Sequence, residues 1–226
     1  MERNIDIKEI SDGKLYSLND MVKVGCDDCK GCSACCQGMG DSIVLDPYDV
    51  YRLTTGLNCK MEDLLVDKLD LNVVEGIILP NLKMNQAGER CSFLNEEGRC
   101  SIHAYRPGIC RIFPLGRIYE NGSFQYFLQV HECKKDNRTK VKVKKWIDTP
   151  EPAKNEKFII EWHYLLKDIS NKLPTLPEET VKQINMYLLN AFFITLYQGN
   201  RDFYEQFEER LIIAKDVMKQ FGISNT

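Results

Sequence analysis

The sequence predicts an α+β protein: a small cysteine-rich domain with short strands and hairpins, followed by a C-terminal helical region. Three observations carry this. All ten cysteines lie in the first 133 of 226 residues. The same part of the chain holds closely spaced turn signals, namely Asn95-Glu96-Glu97-Gly98, Arg106-Pro107-Gly108 and Asn121-Gly122, of the kind that join short strands. Beyond Pro152, apolar residues recur at helical spacing. The expected organisation is a lead-in over 1–25, a cysteine-cluster domain over 26–149, and a helical region over 150–226 packed on it.

The elements follow in order. Residues 1–25 read as polar and partly extended. Ser42-Ile43-Val44-Leu45 reads as a short strand. Asp46 caps a helix with Pro47 at its first position and Val50, Leu53 and Leu57 on one face. A second helical stretch covers about 61–70, with Leu64, Leu65 and Leu69. Glu75 to Met84 is apolar and extended, entering the sheet that carries the cysteine hairpin. Asn121-Gly122 joins two strands, the second delivering Cys133. Residues 134–145 hold seven Lys or Arg against one Asp; the V-K-V-K alternation reads as an edge strand protected by lysines. In the helical region Phe158, Trp162, Leu165, Leu166 and Ile169 form one buried face. Thr175 and Glu178 make a capping box for a helix through Val181, Ile184, Leu188, Ala191 and Thr195, closed by Gly199. Asn200 caps a last helix carrying Phe203, Phe207, Leu211, Ala214 and Met218, with Gly222 at its end.

Composition narrows the function classes. The chain is 43% hydrophobic and 28% charged, enough to bury a core. A net charge of −3 and a pI of about 5.7 argue against a general nucleic-acid binder. The longest apolar stretch, Tyr187 to Tyr197, contains Asn190 and is too short to span a bilayer. The start, MERNIDIKEISDGK, has no apolar segment of the secretory type. The expected location is cytoplasmic, with no membrane partner.

The cysteines are Cys26, Cys29, Cys32, Cys35, Cys36, Cys59, Cys91, Cys100, Cys110 and Cys133. A disulfide framework fits poorly in a reducing compartment. Burial as small hydrophobes suits one or two of them. It fails for Cys26 to Cys36, which stand among Asp27, Asp28, Lys30, Gly31 and Gly38 with no apolar period. Metal ligation fits: soft thiolates bind zinc and hold iron–sulfur clusters, and each C-x-x-C step lets two sulfurs reach one ion from a tight turn. Downstream, the Asn95–Gly98 turn brings Cys91 and Cys100 together, and Arg106-Pro107-Gly108 returns Cys110 to the same place. Cys35 and Cys36, being adjacent, are expected to point apart and to serve different ions, or one of them none. Four thiolates on a divalent ion leave a negative charge, which Arg90, Arg99, Arg106 and Arg111 are placed to offset. The alternative is ordinary surface arginine; Arg106 and Arg111 favour the functional reading.

In these residues, Cys29-x-x-Cys32-x-x-Cys35-Cys36, Cys91-Ser-Phe-Leu, Gly98-Arg-Cys100-Ser-Ile, Arg106-Pro107, Cys110-Arg-Ile-Phe-Pro114 and Cys133, the chain resembles the YkgJ-type cysteine-cluster family. This is the zinc- or iron-chelating CxxCxxCC domain, some of whose members are labelled flagellin lysine N-methylases. The likeness covers roughly residues 26–133. It implies a metal-ligand set of Cys29, Cys32, Cys35, Cys36, Cys91, Cys100, Cys110 and Cys133. Cys26 and Cys59 are extra to the pattern, and His103 stands where family members often carry Tyr. His131, two residues before Cys133 on the expected strand, is an alternative ligand or an outer partner. His163 reads as structural or surface.

No G-x-G-x-x-G, P-loop, G-x-S-x-G or H-E-x-x-H is present. The cysteine run also departs from the bacterial ferredoxin spacing C-x₂-C-x₂-C-x₃-C-P. Three functions remain. The first is a metal-binding protein holding zinc or iron, an iron–sulfur cluster included. The second, implied by the family label alone, is a protein-lysine N-methyltransferase using S-adenosylmethionine, with a protein substrate. The third is a redox or electron-transfer protein.

Overall fold

The computed structural model describes residues 7–26, 32–85, 89–135 and 137–223. In chain order it contains α1 (Ile7–Ile10), β1 (Ser11–Tyr16), β2 (Met21–Gly25), a 3-10 turn at Ala34–Cys36, α2 (Pro47–Leu57), α3 (Met61–Asp67), β3 (Leu69–Val74) and β4 (Ile77–Leu82). Then come β5 (Met84–Asn85), β6 (Arg90–Cys91), a 3-10 turn at His103–Tyr105, α4 (Gly108–Ile112), β7 (Leu115–Glu120), β8 (Ser123–Gln129), β9 (Thr139–Lys142) and α5 (Val143–Ile147). The chain ends in α6 (Pro152–Lys172), a 3-10 turn at Leu173–Thr175, α7 (Glu178–Leu189), a π-helical turn at Asn190–Ile194 and α8 (Phe203–Gln220). The mixed α+β class expected from the sequence is what this order describes. Among the described residues no helix is long and apolar enough to cross a membrane.

The described residues divide into two compact units. One combines the residues up to Ile43 with Leu82–Pro152; the other combines Val44–Asn81 with the residues from Ala153 onward. The edges expected at 25/26 and 149/150 do not coincide with this division. The physical reason is strand pairing. Residues 11–25 are not a detached lead-in: β1 pairs with β8 and β2 with β9, both antiparallel.

In the first unit β1, β8 and β7 make one antiparallel sheet in that order, while β2–β9 and β5–β6 are two-stranded. Asn121 and Gly122 both take positive φ, 51° and 73°, which gives the two-residue hairpin turn joining β7 to β8. Val22 and Val24 point inward and are buried with Tyr16, Ile112, Leu115, Tyr126, Leu128, Val143 and Ile147. Gly25 has no room for a side chain. A Cβ there would collide with the side chains of Thr139 and Val141. Leu82 N donates to Ile43 O at 3.0 Å, closing this unit on itself where the residues between them leave it.

The second unit is mainly helical. Asp46 accepts from Asp49 N and Asp49 accepts from Asp46 N, a reciprocal cap on α2 with Pro47 at its start. Val50 and Leu53 are buried, but Leu57 is exposed. Of the strand expected at 42–45 only a single bridge, Val44 to Asn81, forms. The second helix stops at Asp67, and Leu69 instead opens β3 in the hairpin with β4, turned at Glu75 and Gly76. The apolar run 75–84 therefore divides. Its larger part is β4, paired with β3, and only Met84 reaches the strand that pairs with Cys91.

Phe158, Trp162, Leu165, Leu166 and Ile169 of α6 are buried as their spacing predicts. Phe158 meets Phe207 edge-on at 4.6 Å between centroids, and Trp162 meets Phe192 at 4.9 Å, geometries that aromatic rings prefer. Two caps differ from expectation. Thr175 ends a 3-10 turn, so Pro177, with no side-chain cap, precedes α7. The last helix is capped by Asp202, not Asn200: its carboxylate accepts from Glu205 N. The α7 helix does not continue regularly to Thr195, because Asn190–Ile194 widens into the π-helical turn.

Candidate metal centre

The centre is built from three segments of the first unit. The first is the turn Ser33–Cys36, closed by Cys36 N donating to Ser33 O at 2.9 Å. It runs on into Gln37, which bridges Arg90, and Gly38, whose N donates to Glu89 O at 2.9 Å. The early cysteine run is thereby stitched to the strand that carries Cys91.

The second segment is the hairpin between Cys91 and Cys100. Asn95 N donates to Arg99 O, Arg99 N donates to Asn95 Oδ1, and Gly98 turns at φ 71°. Leu94 bridges Cys100. Arg90 Nη2 donates to Asn95 O, so this arginine closes the turn. The turn expected at Asn95–Gly98 is present, with Gly98 in the left-handed region. A Cβ on Gly98 would lie 3.7 Å from Ser33 Oγ, which fixes the hairpin tip beside the first segment.

The third segment runs from His103 to Ile112 and carries Cys110 on α4. Arg111 is buried and donates to Ala104 O at 2.6 Å, Arg106 O at 3.1 Å and Asp148 O at 3.0 Å. The sequence reading assigned it to sulfur. Its guanidinium spends three donors on main-chain carbonyls and braces the loop that precedes Cys110. Arg106 acts on two of the thiols, and Arg99 on one of them. Arg106 Nη1 donates to His103 Nε2 at 2.9 Å, and its charge acts on both Cys35 and Cys100.

Four thiols influence one another here. The Cys36 thiol is pushed up by its hydrogen bond to Cys35, then by burial, and then by the negative charges of Cys35, Cys110 and Cys100. The Cys35 thiol is held down by that same bond, helped by its own backbone N–H and by Arg106. Burial raises Cys100, against Arg106 and Arg99. The two thiols thus act on each other although they are adjacent in sequence.

The remaining positions stand as follows. Cys29 lies outside the described residues. Cys26 and Cys91 are buried; Cys32 and Cys133 are half-buried free thiols. His131 falls in a turn after β8 rather than on a strand, so the alternation that would align it with Cys133 does not apply. Cys59 belongs to the other unit, between α2 and α3, its thiol raised by burial and by Asp63. His163 is buried in α6. Among the described residues no three Cys, His, Asp or Glu side chains stand close enough to enclose an ion. The described thiols are neighbours rather than a closed coordination shell.

The sequence model of the CxxCxxCC family, described as a "Putative zinc- or iron-chelating domain", matches residues 28–144, more than half of the chain. The chain belongs to this family. The resemblance drawn from the cysteine spacing is to the same family. No curated protein and no solved structure matches the chain. Within this CxxCxxCC protein, sequence reasoning missed the pairing of His103 with Arg106. The i, i+3 spacing of the two residues was the available signal.

Proposed function

We propose that this CxxCxxCC protein binds zinc or iron through the thiolates of Cys29, Cys32, Cys35, Cys36, Cys91, Cys100, Cys110 and Cys133. The observation that carries the reading is that Cys36 lies within charge reach of Cys35, Cys100 and Cys110, from segments far apart in sequence, while Arg106 acts on Cys35 and Cys100. The donor set fits such an ion chemically: it is all sulfur, and thiolates are chosen by zinc, by iron in clusters and by other soft cations. A guanidinium beside it offsets the negative charge that several thiolates leave on a divalent ion. When bound, the ion supplies folding free energy by cross-linking the three segments. Within that role Ser33–Cys36 presents two sulfurs, the 91–100 hairpin two more and α4 one.

Metal analysis of anaerobically purified protein, with its visible spectrum, tests this. Zinc in a colourless protein, or iron in a coloured one, at one equivalent or more per chain is the expected result. Protein that carries neither metal, and takes up neither on anaerobic titration, overturns it. The same spectrum separates a zinc site from an iron–sulfur site.

A further inference from the structure

The β2–β9 ribbon carries a charge pattern that the thiol centre does not use. Its register sets Met21 opposite Lys142, Val22 opposite Val141 and Lys23 opposite Lys140. Val22 is buried and Val141 half-buried, while Met21, Lys23, Lys140 and Lys142 are all exposed. The outer face is therefore three ammonium groups and a methionine. Lys144 and Lys145 of α5 follow at once, both exposed. Like charges directly opposite one another across an antiparallel pair are destabilising, and Lys23–Lys140 is such a pair. Among the described residues no carboxylate forms an ion pair with Lys23, Lys140, Lys142, Lys144 or Lys145. Of the acids nearest in sequence, Asp20 is engaged by the backbone and side chain of Ser17, and Asp148 lies three residues beyond Lys145. Lysines at an edge guard against strand pairing, but one or two would serve that purpose.

We propose that this ribbon face is a docking surface for the phosphate backbone of a nucleic acid. The charge is complementary, and it sits on a hydrogen-bonded platform rather than a loose tail. Lys140 and Lys142, two residues apart on β9, stand about 7 Å apart on one face, with Lys23 beside Lys140. A two-stranded β-ribbon is also of a size that a duplex groove admits. The lysines act as point charges on phosphate oxygens, so the binding is independent of base sequence. The overall acidity of the chain limits the affinity and confines it to this face.

The test is fluorescence anisotropy of the full-length, metal-loaded protein with a labelled mixed-sequence duplex of about 20 base pairs and the matching single strand. Salt runs from about 50 to 200 mM, the range over which counterion release is read. Wild type binds with log Kobs falling linearly against log salt. The triple variant K23Q/K140Q/K142Q reduces the magnitude of the slope on the duplex by about 3, and K142Q alone by about 1. A K182Q control, altered in α7, leaves it unchanged. Circular dichroism shows the variants folded; if the triple variant is not, K142Q decides. Absence of binding at the lowest salt, or an unaltered slope in K142Q, overturns the proposal. Tighter binding of poly-glutamate or of anionic lipid vesicles than of either oligonucleotide, at equal charge, also overturns it and gives the face to an acidic protein or a membrane surface.

Discussion

The adjacent thiols of Cys35 and Cys36 share a side-chain interaction that lowers the first and raises the second. A 3-10 turn held by Cys36 N to Ser33 O makes this possible, and the arrangement predisposes one of the pair to lose its proton ahead of the other. If both are ligands, replacing either by serine removes a soft donor for a hard one. Cys35→Ser and Cys36→Ser are each expected to lower metal affinity at least about tenfold, a loss that even outer partners of a metal can cause. Competition with a chromophoric chelator measures this. Cys59→Ser, in the other unit, leaves the affinity unchanged.

Removing the metal tests the same site through stability. The cysteine unit has short strands, two of its sheets being two-stranded, and isolated two-stranded sheets are marginal in water. Chelation is expected to lower the thermal midpoint and to release amide protection in Ser33–Cys36, 91–100 and α4, while α6 and α8 keep theirs. Hydrogen exchange with and without chelator reads this directly. Equal protection in both states counts against an ion cross-linking these segments.

Arg111 predicts a large effect away from the sulfurs. It is buried, and its three bonds to carbonyls of Ala104, Arg106 and Asp148 are charge-assisted. Arg111→Ala leaves those carbonyls short of donors and is expected to cost about 3 kcal/mol in urea denaturation. Arg111→Lys rescues little, because a single ammonium cannot reproduce the planar fork.

Asn185 plays the corresponding part in the other unit. Its amide donates to Gly76 O at 3.0 Å and to Val181 O at 3.1 Å, and its oxygen accepts from Ile78 N at 2.6 Å. It thus clamps the β3–β4 turn onto α7. Asn185→Ala is expected to cost about 2 kcal/mol and to raise exchange at Ile78 selectively. Asn185→Leu, similar in volume, costs no less, since the Ile78 N–H still lacks its acceptor.

The cap of α8 gives a pH dependence. Partial burial opposes ionisation of Asp202, but the Glu205 N–H and Lys154 outweigh it, and the carboxyl sits below its ordinary value. A group lowered in the folded state stabilises above its unfolded pKa. That contribution disappears as pH falls through the folded value. Asp202→Ala is therefore expected to cost about 1 kcal/mol at neutral pH, with the gap to wild type closing as both are taken into acid. Denaturation midpoints across that range check it.

Much of this was legible in the chain. The α2 cap at Asp46 and Pro47, the Asn121-Gly122 turn and the α6 stripe from Phe158 to Ile169 rest on local chemistry, which sequence states directly. Asp202 displaced Asn200 because two competent caps stood two residues apart, and only packing of Phe203 and Phe207 chooses between them. Thr175 lost its capping role to a tighter turn for the same reason. Strands β1 and β2 were missed since a five-residue strand such as Met21–Gly25 gives too short an alternation to register, and its partner β9 lies more than a hundred residues away. At the thiol centre, spacing marked which cysteines to consider together. It could not separate an arginine that acts on the thiols, Arg106, from the one that braces the loop, Arg111, because both adjoin the same turn.

The bond between Leu82 and Ile43 bears on how the early and late thiols find each other. By chain count Cys36 and Cys91 are far apart, and joining distant points costs entropy that grows with the intervening length. Once that neck has formed, the excursion between 43 and 82 no longer counts toward the search. Cys36 then meets Cys91 and Cys100 as though they belonged to one short loop, so the assembly of the sulfur group is expected to follow closure of the neck in time.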